Sequence, residues 1–458
     1  MDQALTSGSG GYRGLSLWFD QVAEAGDALT PRVALDGNVE ADVAIVGGGL
    51  TGLWTAWYLL ERDPRLRIIV LEKEIAGFGA SGRNGGWCSA LFPRSTESLA
   101  RTHGRAAATA QRQAMIDTVD EVGRAARQAG IDCDFAKGGT LVLARTAVQL
   151  AAARADVAAA AAFGVDRPTL VDGPGGHPAV FDPDCARLQP GSLVRGLARA
   201  LEARGVIIHE QTEVVDWMPR RVATVRGSVK AQHVVIALEG YRATVARASR
   251  DILPLYSLMI ATEPLPDAVW HDIGIAHGQT FTDYRHLLIY GQRTADNRFA
   301  FGGRGARYHW GSAIRPSYDR VERVFEHLAQ TLGELFPAAA TAEVTHRWGG
   351  PLGVPRDWHA SVRYDRRSGI GSAGGYVGDG LSTTNLAGRT LADLLTGEQT
   401  DLTALPWVDH RSPRWEPEPL RFLGSNLGLA AMATADLEER MTHRPSIVAR
   451  AMGPLVGH

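Results

Sequence analysis

The chain has 458 residues, 45% of them apolar and 21% charged, with a formal net charge of −2. That length exceeds one ordinary domain, and the composition is that of a soluble globular protein. The near-neutral balance gives no support to nucleic-acid binding, and three widely spaced cysteines, Cys88, Cys133 and Cys185, argue against a zinc site or a disulfide framework.

Residues 1–14 are polar and glycine-rich and read as a loose tail. The first forty residues lack a basic start followed by an apolar core, so no signal peptide is expected, and a reducing cytoplasm is the simplest home. Residues 16–24 (SLWFDQVAE) set two aromatics beside charges, as in a short helix packed on the body.

The organising stretch is 41–72, ADVAIVGGGLTGLWTAWYLLERDPRLRIIVLE. An apolar run at 43–46 meets three glycines, a helical segment follows over 50–60, and a second apolar run ends at Glu72. Gly47, Gly49 and Gly52 stand in GxGxxG spacing, which provides a tight turn, a close backbone approach to a pyrophosphate and close packing of helix on strand. The helix start at Leu50 and Thr51 offers unpaired N–H groups to phosphates. Glu72, followed by Lys73, ends the second strand where an acid accepts hydrogen bonds from a ribose. The unit leaves NAD and FAD both open. Residues 43–60 are apolar over about the length of a membrane span, but the glycines and flanking strands read better as a nucleotide-binding unit, so no span is expected.

Residues 77–86, GFGASGRNGG, hold too many glycines for a helix or strand and form a loop whose backbone comes close to something. Together, GGGLTG, the strand ending in Glu72 and ASGRNGG resemble the FAD-dependent amine and amino-acid oxidoreductases of the D-amino-acid oxidase superfamily, nearest the gamma-glutamylputrescine oxidase-like branch. That resemblance implies that the loop runs past the flavin, with Ser81, Arg83, Asn84, Gly85 and Gly86 as contacts. A fixed cation at Arg83 would stabilise a diphosphate or a reduced flavin.

Residues 95–131 show helical periodicity, 139–145 read as a strand and 147–163 as an alanine-rich helix, while 173–176 mark a turn before His177. Residues 188–216 return to the nucleotide fold with a helix over 193–204 and a strand over 206–209. In the resembled family a valine after such a strand contacts adenine, and Val214 is the match; 222–225 and 229–237 read as a strand pair. The intervening segments then build a substrate domain, mostly an antiparallel sheet. It begins at 252–262, where the resemblance places Tyr256 over the flavin, although an ordinary core tyrosine reads equally well. Residues 280–290 and 298–304 form a strand pair across a turn at 291–297. Arg304, at its end, reads either as a bidentate anchor for a substrate carboxylate or as a structural ion-pair partner. Residues 318–336 read as an amphipathic helix over that sheet.

Residues 347–355, RWGGPLGVP, and the glycines of 374–380 before a helix reaching 395 resemble the family's C-terminal flavin element. Gly378, Gly380, Leu381, Ser382, Thr383 and Thr384 are its matched positions, aiming a helix N-terminus at the flavin pyrimidine edge where hydride arrival leaves negative charge. Asp379 departs from the less acidic residue common there, and Trp348 joins Tyr256 and Arg304 as a candidate catalytic residue. Some relatives attach flavin through a cysteine near this strand. Here Gly349 and Gly350 occupy the region, which implies non-covalent FAD, with Cys88 expected to be a packed thiol. A tail helix is expected over 427–441.

The expected fold is α/β: a discontinuous Rossmann-like FAD-binding domain (39–98, 186–250 and 345–400) and an α+β substrate domain (99–185 and 251–344), with an N-terminal extension at 1–38 and a helical tail at 401–458. The resemblance implies oxidation of a C–N bond in a small amine or amino acid. Hydride passes to flavin N5, the imine hydrolyses, and oxygen is reduced to hydrogen peroxide. Alternatives are a dehydrogenase that uses a quinone or carrier, and a nicotinamide-dependent enzyme of the same fingerprint.

Overall fold

The computed structural model describes residues 11–456, so most of the expected loose tail lies outside the described residues. Within the described part of that tail, Tyr12 donates its hydroxyl to Glu74 at 3.0 Å, and Arg13 pairs with Asp20 and Glu24.

The first sheet runs, edge to edge, through strands Ser361–Asp365, Ile370–Gly374, Gly227–Ile236, Gly37–Val46, Ile68–Leu71 and Ile207–His209. Its interior pairs are parallel, and only the Ser361–Asp365 edge of this path is antiparallel. The hairpin Val214–Met218 and Arg221–Thr224 extends it from Gly227–Ile236. Strand Gly37–Val46 shows why both faces are covered. Val43 and Ile45 enter one core with helices Leu50–Arg62, Pro190–Ala203 and Gly380–Thr396, while Ala44 and Val46 enter the other with Trp217 and Val222.

The second sheet runs Val344–Val354, Leu253–Thr262, Phe299–Arg304, Ile289–Arg293, Thr280–Asp283, Thr140–Leu143, Pro178–Asp182 and Thr169–Asp172. All neighbours are antiparallel except the central Thr280–Asp283 with Thr140–Leu143. Phe281, Phe299, Phe301 and Phe336 form its apolar core, closed by helix Glu322–Leu335. The two sheets together give the mixed α/β architecture that the sequence implied.

Several segments differ from the sequence reading. Strand Val344–Val354 pairs along its whole length with Leu253–Thr262, which puts 345–354 in the antiparallel sheet rather than with the dinucleotide unit. The helical stretch at 95–131 is two helices, Thr96–His103 and Arg105–Gln128, broken at Gly104, whose φ of +85° ends the first. Residues 284–288 leave the expected strand as a loop, so the hairpin joins Ile289–Arg293 to Phe299–Arg304. The tail helix is longer than expected, Leu420–Thr442.

Helix Leu17–Glu24 has a purpose the sequence did not disclose. Ser16 caps it by accepting from the Phe19 N–H, and the same hydroxyl donates to the Gly82 carbonyl at 2.8 Å. Trp18 donates its indole N–H to the Asn84 carbonyl at 2.7 Å, so this helix buttresses the glycine loop from behind.

Candidate active site

One cleft of about 1600 Å³ runs between the sheets. At one end Gly47, Gly49, Leu50 and Thr51 line it; Glu72, Lys73 and Val214 follow along the same wall. Gly47 has a φ of +110°, and a side chain there would meet the Ala237 carbonyl at 2.5 Å. A side chain on Gly52 would meet the Gly47 oxygen at 2.2 Å, so this glycine lies behind the cleft wall and lets helix Leu50–Arg62 press on the turn. Glu72 accepts one backbone N–H on each oxygen, Gly48 at 2.8 Å and Glu74 at 2.9 Å. A carboxylate has lone pairs to spare for ribose hydroxyls. Burial pushes its pKa up to about 7.

The glycine loop crosses the cleft. Ser81 Oγ accepts the Leu50 N–H at 2.8 Å, tying the loop to the helix start, and Asn84 bonds back to the carbonyls of Ala80 and Ser81. Ser81, Asn84 and Gly85 line the cleft; Gly86 packs behind it, against Gln292 and the Leu188 carbonyl.

Arg83, expected as a fixed cation, is held by partners the sequence did not name. It lines the cleft, but its guanidinium is committed to Asp319 at 2.8 Å, the Gly349 carbonyl at 3.0 Å and the Tyr241 hydroxyl at 2.6 Å. Its charge is balanced, and it serves to rivet the loop to strand Val344–Val354 and the turn Pro316–Asp319.

Gly378, Asp379, Gly380, Leu381 and Thr384 line the wall opposite, at the start of helix Gly380–Thr396. Ser382 and Thr383 do not reach the cleft: their hydroxyls donate to the carbonyls of Ser89 and Asp379. Asp379 sits at the N-cap position without capping, and its side chain lines the cleft. Burial raises its pKa to about 6, and the charge of Arg304 opposes the rise.

At the antiparallel-sheet end, the expected reactive residues separate. Arg304 lines the cleft, donates to the Val377 carbonyl at 2.8 Å and lies over the Trp358 ring at 5.5 Å. No carboxylate lies within salt-bridge distance of it among the described residues. Trp348 forms part of the wall, its indole N–H donating to the Arg83 carbonyl at 2.9 Å, so it positions the loop. Tyr256 is not at the cleft. Its neighbour Ser257 faces the cleft, so Tyr256 points to the opposite face of the strand, where its ring meets His309 and Tyr318.

Tyr290, which the sequence reading did not single out, is at the cleft instead. It lines the cleft, and its hydroxyl lies 2.9 Å from Ser257 Oγ. Ser257 spends its one proton on the Gly303 carbonyl, so Tyr290 is the donor of that pair. No signal in the sequence marked it: the expected strand 280–290 ended at Tyr290, whereas it is the second residue of strand Ile289–Arg293.

These residues suit a bound dinucleotide. Two helices, headed by Gly49 and Asp379, start at the cleft without a cap from their own N-cap side chains, although Ser81 takes the Leu50 N–H of the first, and Gly47 and Gly378 both hold left-handed backbone beside it. The family model described as DAO, FAD dependent oxidoreductase, matches residues 42–394. The chain belongs to that family. As an FAD-dependent oxidoreductase it is 30% identical over 386 residues to the probable oxidoreductase OrdL of Haemophilus influenzae, covering 79% of this chain and 84% of that protein. It is 28% identical over 403 residues to gamma-glutamylputrescine oxidoreductase of Escherichia coli, covering 85% and 91%. Glycine oxidase of Geobacillus kaustophilus shares the fold with a TM-score of 0.68 at 21% identity, over 81% of this chain and 99% of that one.

Non-covalent attachment accords with the cysteines: Cys88, Cys133 and Cys185 are all buried and none lines the cleft. Burial raises the Cys88 thiol well above its usual range. Among the described residues no helix is long and apolar enough to cross a membrane.

Proposed function

We propose that the enzyme oxidises the C–N bond of a small amine or amino acid bearing a carboxylate, in the cytoplasm. The observation that carries this reading is Arg304: a cleft-lining guanidinium that donates to one backbone carbonyl, feels the charge of Asp379 and, among the described residues, has no carboxylate within salt-bridge distance keeps donors for a ligand. The printed names of two similar proteins, gamma-glutamylputrescine oxidoreductase and glycine oxidase, support the same substrate class.

Gly47, Gly49, Leu50 and Thr51 would hold the pyrophosphate of FAD, Glu72 a ribose, Val214 the adenine, and Gly380, Leu381 and Thr384 the pyrimidine edge of its ring. Bound there, FAD would supply a hydride acceptor at N5 and a route for the electrons to oxygen, with hydrogen peroxide as the product. Arg304 binds and orients the substrate carboxylate, while Tyr290 borders the same space. Asp379, ionised above about pH 6, takes the proton from the substrate ammonium, which leaves the amine lone pair free to assist departure of hydride from the α-carbon. The resulting imine adds water and splits into a carbonyl compound and an amine or ammonia. Burial lowers the arginine's pKa, and the guanidinium serves as a charged, five-donor fork for the carboxylate.

The test measures oxygen uptake, peroxide and carbonyl product with a panel of amino acids and their decarboxylated counterparts. Stoichiometric peroxide and carbonyl formation, with preference for the carboxylated member of each pair, is expected. Turnover only with an artificial electron acceptor would replace oxygen in the reading, and indifference to the carboxylate would remove Arg304 from it.

A further inference from the structure

The matched family residues end at 394, yet one residue of the cleft wall comes from beyond them. Met432 belongs to helix Leu420–Thr442, of which only Arg421 and Ala435 are buried, while Phe422 and Leu429 pack half-buried against the apolar cluster around Tyr308. Polar bonds at two points fix it. Near its start, Glu418 accepts from the Tyr308 hydroxyl at 2.7 Å and the Gly311 N–H at 2.9 Å, and Asn426 exchanges hydrogen bonds with both backbone groups of Tyr308 at 3.1 Å. Toward its end, Asp436 accepts the N–H of His286 at 2.7 Å and of Leu287 at 2.9 Å, one on each oxygen, and Glu439 meets His286 Nε2 at 3.0 Å.

The helix is therefore strapped between the 284–288 loop and the 308–311 turn. Met432 precedes Asp436 by about one turn, which sets both on the face toward that loop. Arg285, His286 and Leu288 of the same loop line the cleft, as do Ile314, Arg315 and Pro316 beyond the turn. Of the charges at this end, Arg285 is paired with Asp283 at 2.6 Å, His286 is matched by Glu439, and the Arg315 guanidinium lies over the Tyr318 ring. Leu288, Ile314 and Met432 form the apolar part of this wall, which Arg285, His286 and Arg315 also line.

We propose that this helix forms the outer wall of the substrate end of the cleft, and that Met432 bounds the distal, uncharged part of the substrate and sets the size admitted. The inference rests on the reading that substrate lies beside Arg304. Its chemistry calls for a carboxylated amine with a compact apolar distal group, because a longer or charged one would meet the methionine.

The test titrates the FAD-loaded protein with acetate, benzoate and 2-naphthoate, carboxylates of rising size, and reads each Kd from the perturbation of the flavin absorption band. Met432→Ala tightens naphthoate relative to acetate about tenfold, and Met432→Trp weakens it by a similar factor, with acetate within about twofold in both. Asp436→Asn, which weakens the strap without touching the wall, shifts the ratio in the alanine direction by a smaller factor and keeps the test open where the tryptophan variant fails to fold. An unchanged naphthoate-to-acetate ratio in the variants overturns the proposal, as does a parent protein that binds none of the three. Failure of C–N oxidation itself would show separately, as binding without reduction by any amine.

Discussion

Replacing Gly52 by alanine adds one methyl group at the closest helix-to-turn contact in the dinucleotide unit. Its carbon would stand 2.2 Å from the Gly47 oxygen and 2.9 Å from Ile45 Cγ2, whereas ordinary contact begins at 3.4 Å. The turn cannot yield, because Gly47 is already pressed toward the Ala237 carbonyl and donates its N–H to Leu71 at 2.9 Å. The helix cannot easily retreat either, since Gly388 of helix Gly380–Thr396 lies against Trp54 on its other side, where an added carbon would be 2.7 Å away. A displacement of about 1 Å is required in a packed interior, at a cost of about 2 kcal/mol. Binding FAD would demand the original spacing of helix start and turn, so that cost reappears as a roughly thirtyfold weaker Kd. The assay is reconstitution of the apoprotein with FAD, followed by quenching of flavin fluorescence, with Gly424→Ala as the control because nothing lies within 4 Å of that position. A Gly52→Ala protein that binds FAD within threefold of the parent would refute the reasoning.

Asp319→Asn leaves the Arg83 guanidinium, only 2% exposed, without its counter-ion. Because Asp319 itself is 21% exposed, a loss of about 2 kcal/mol is expected, below the range for fully buried pairs, and urea unfolding of the apoprotein measures it. Arg304→Lys keeps the charge but not the fork, and kcat/KM for a carboxylated substrate should fall about 100-fold while that for its decarboxylated counterpart changes little. The kcat/KM profile should drop as pH falls through about 6, where Asp379 gains its proton, and Asp379→Asn should abolish that limb. Glu72 and Glu239 have folded pKa values of about 7 against an ordinary 4.5, so the folded apoprotein binds protons that the unfolded chain has released. Their contribution to stability is present below about 4.5 and lost as pH rises to about 7; thermal melts should show that slope, and the Glu72→Gln, Glu239→Gln double variant should flatten it.

The dinucleotide unit was legible because its information is local: glycines at fixed spacing, a helix start and an acid all lie within 41–72. The tyrosine at the cleft was not, and the reason is parity. All ten residues of Leu253–Thr262 are buried, so no alternation of polar and apolar residues tells which of Tyr256 and Ser257 faces the cofactor side. Arg83 was legible as a loop residue but its partner was not, since Asp319 lies 236 positions away and only the folded sheet brings them together. The tail helix carried a periodic pattern that announced a helix but nothing that announced Met432 as a wall. That role depends on Asp436 reaching a loop some 150 residues earlier in the chain.

The central claim is that this chain holds FAD and uses it on an amine. The visible spectrum of the purified protein, recorded before and after anaerobic addition of amines and amino acids, tests it most directly. A yellow protein whose flavin band is bleached by a carboxylated amine, and recovers on admitting air, is the expected result. A protein that takes up FAD yet is bleached by none of them, or one that cannot take up FAD at all, would contradict it.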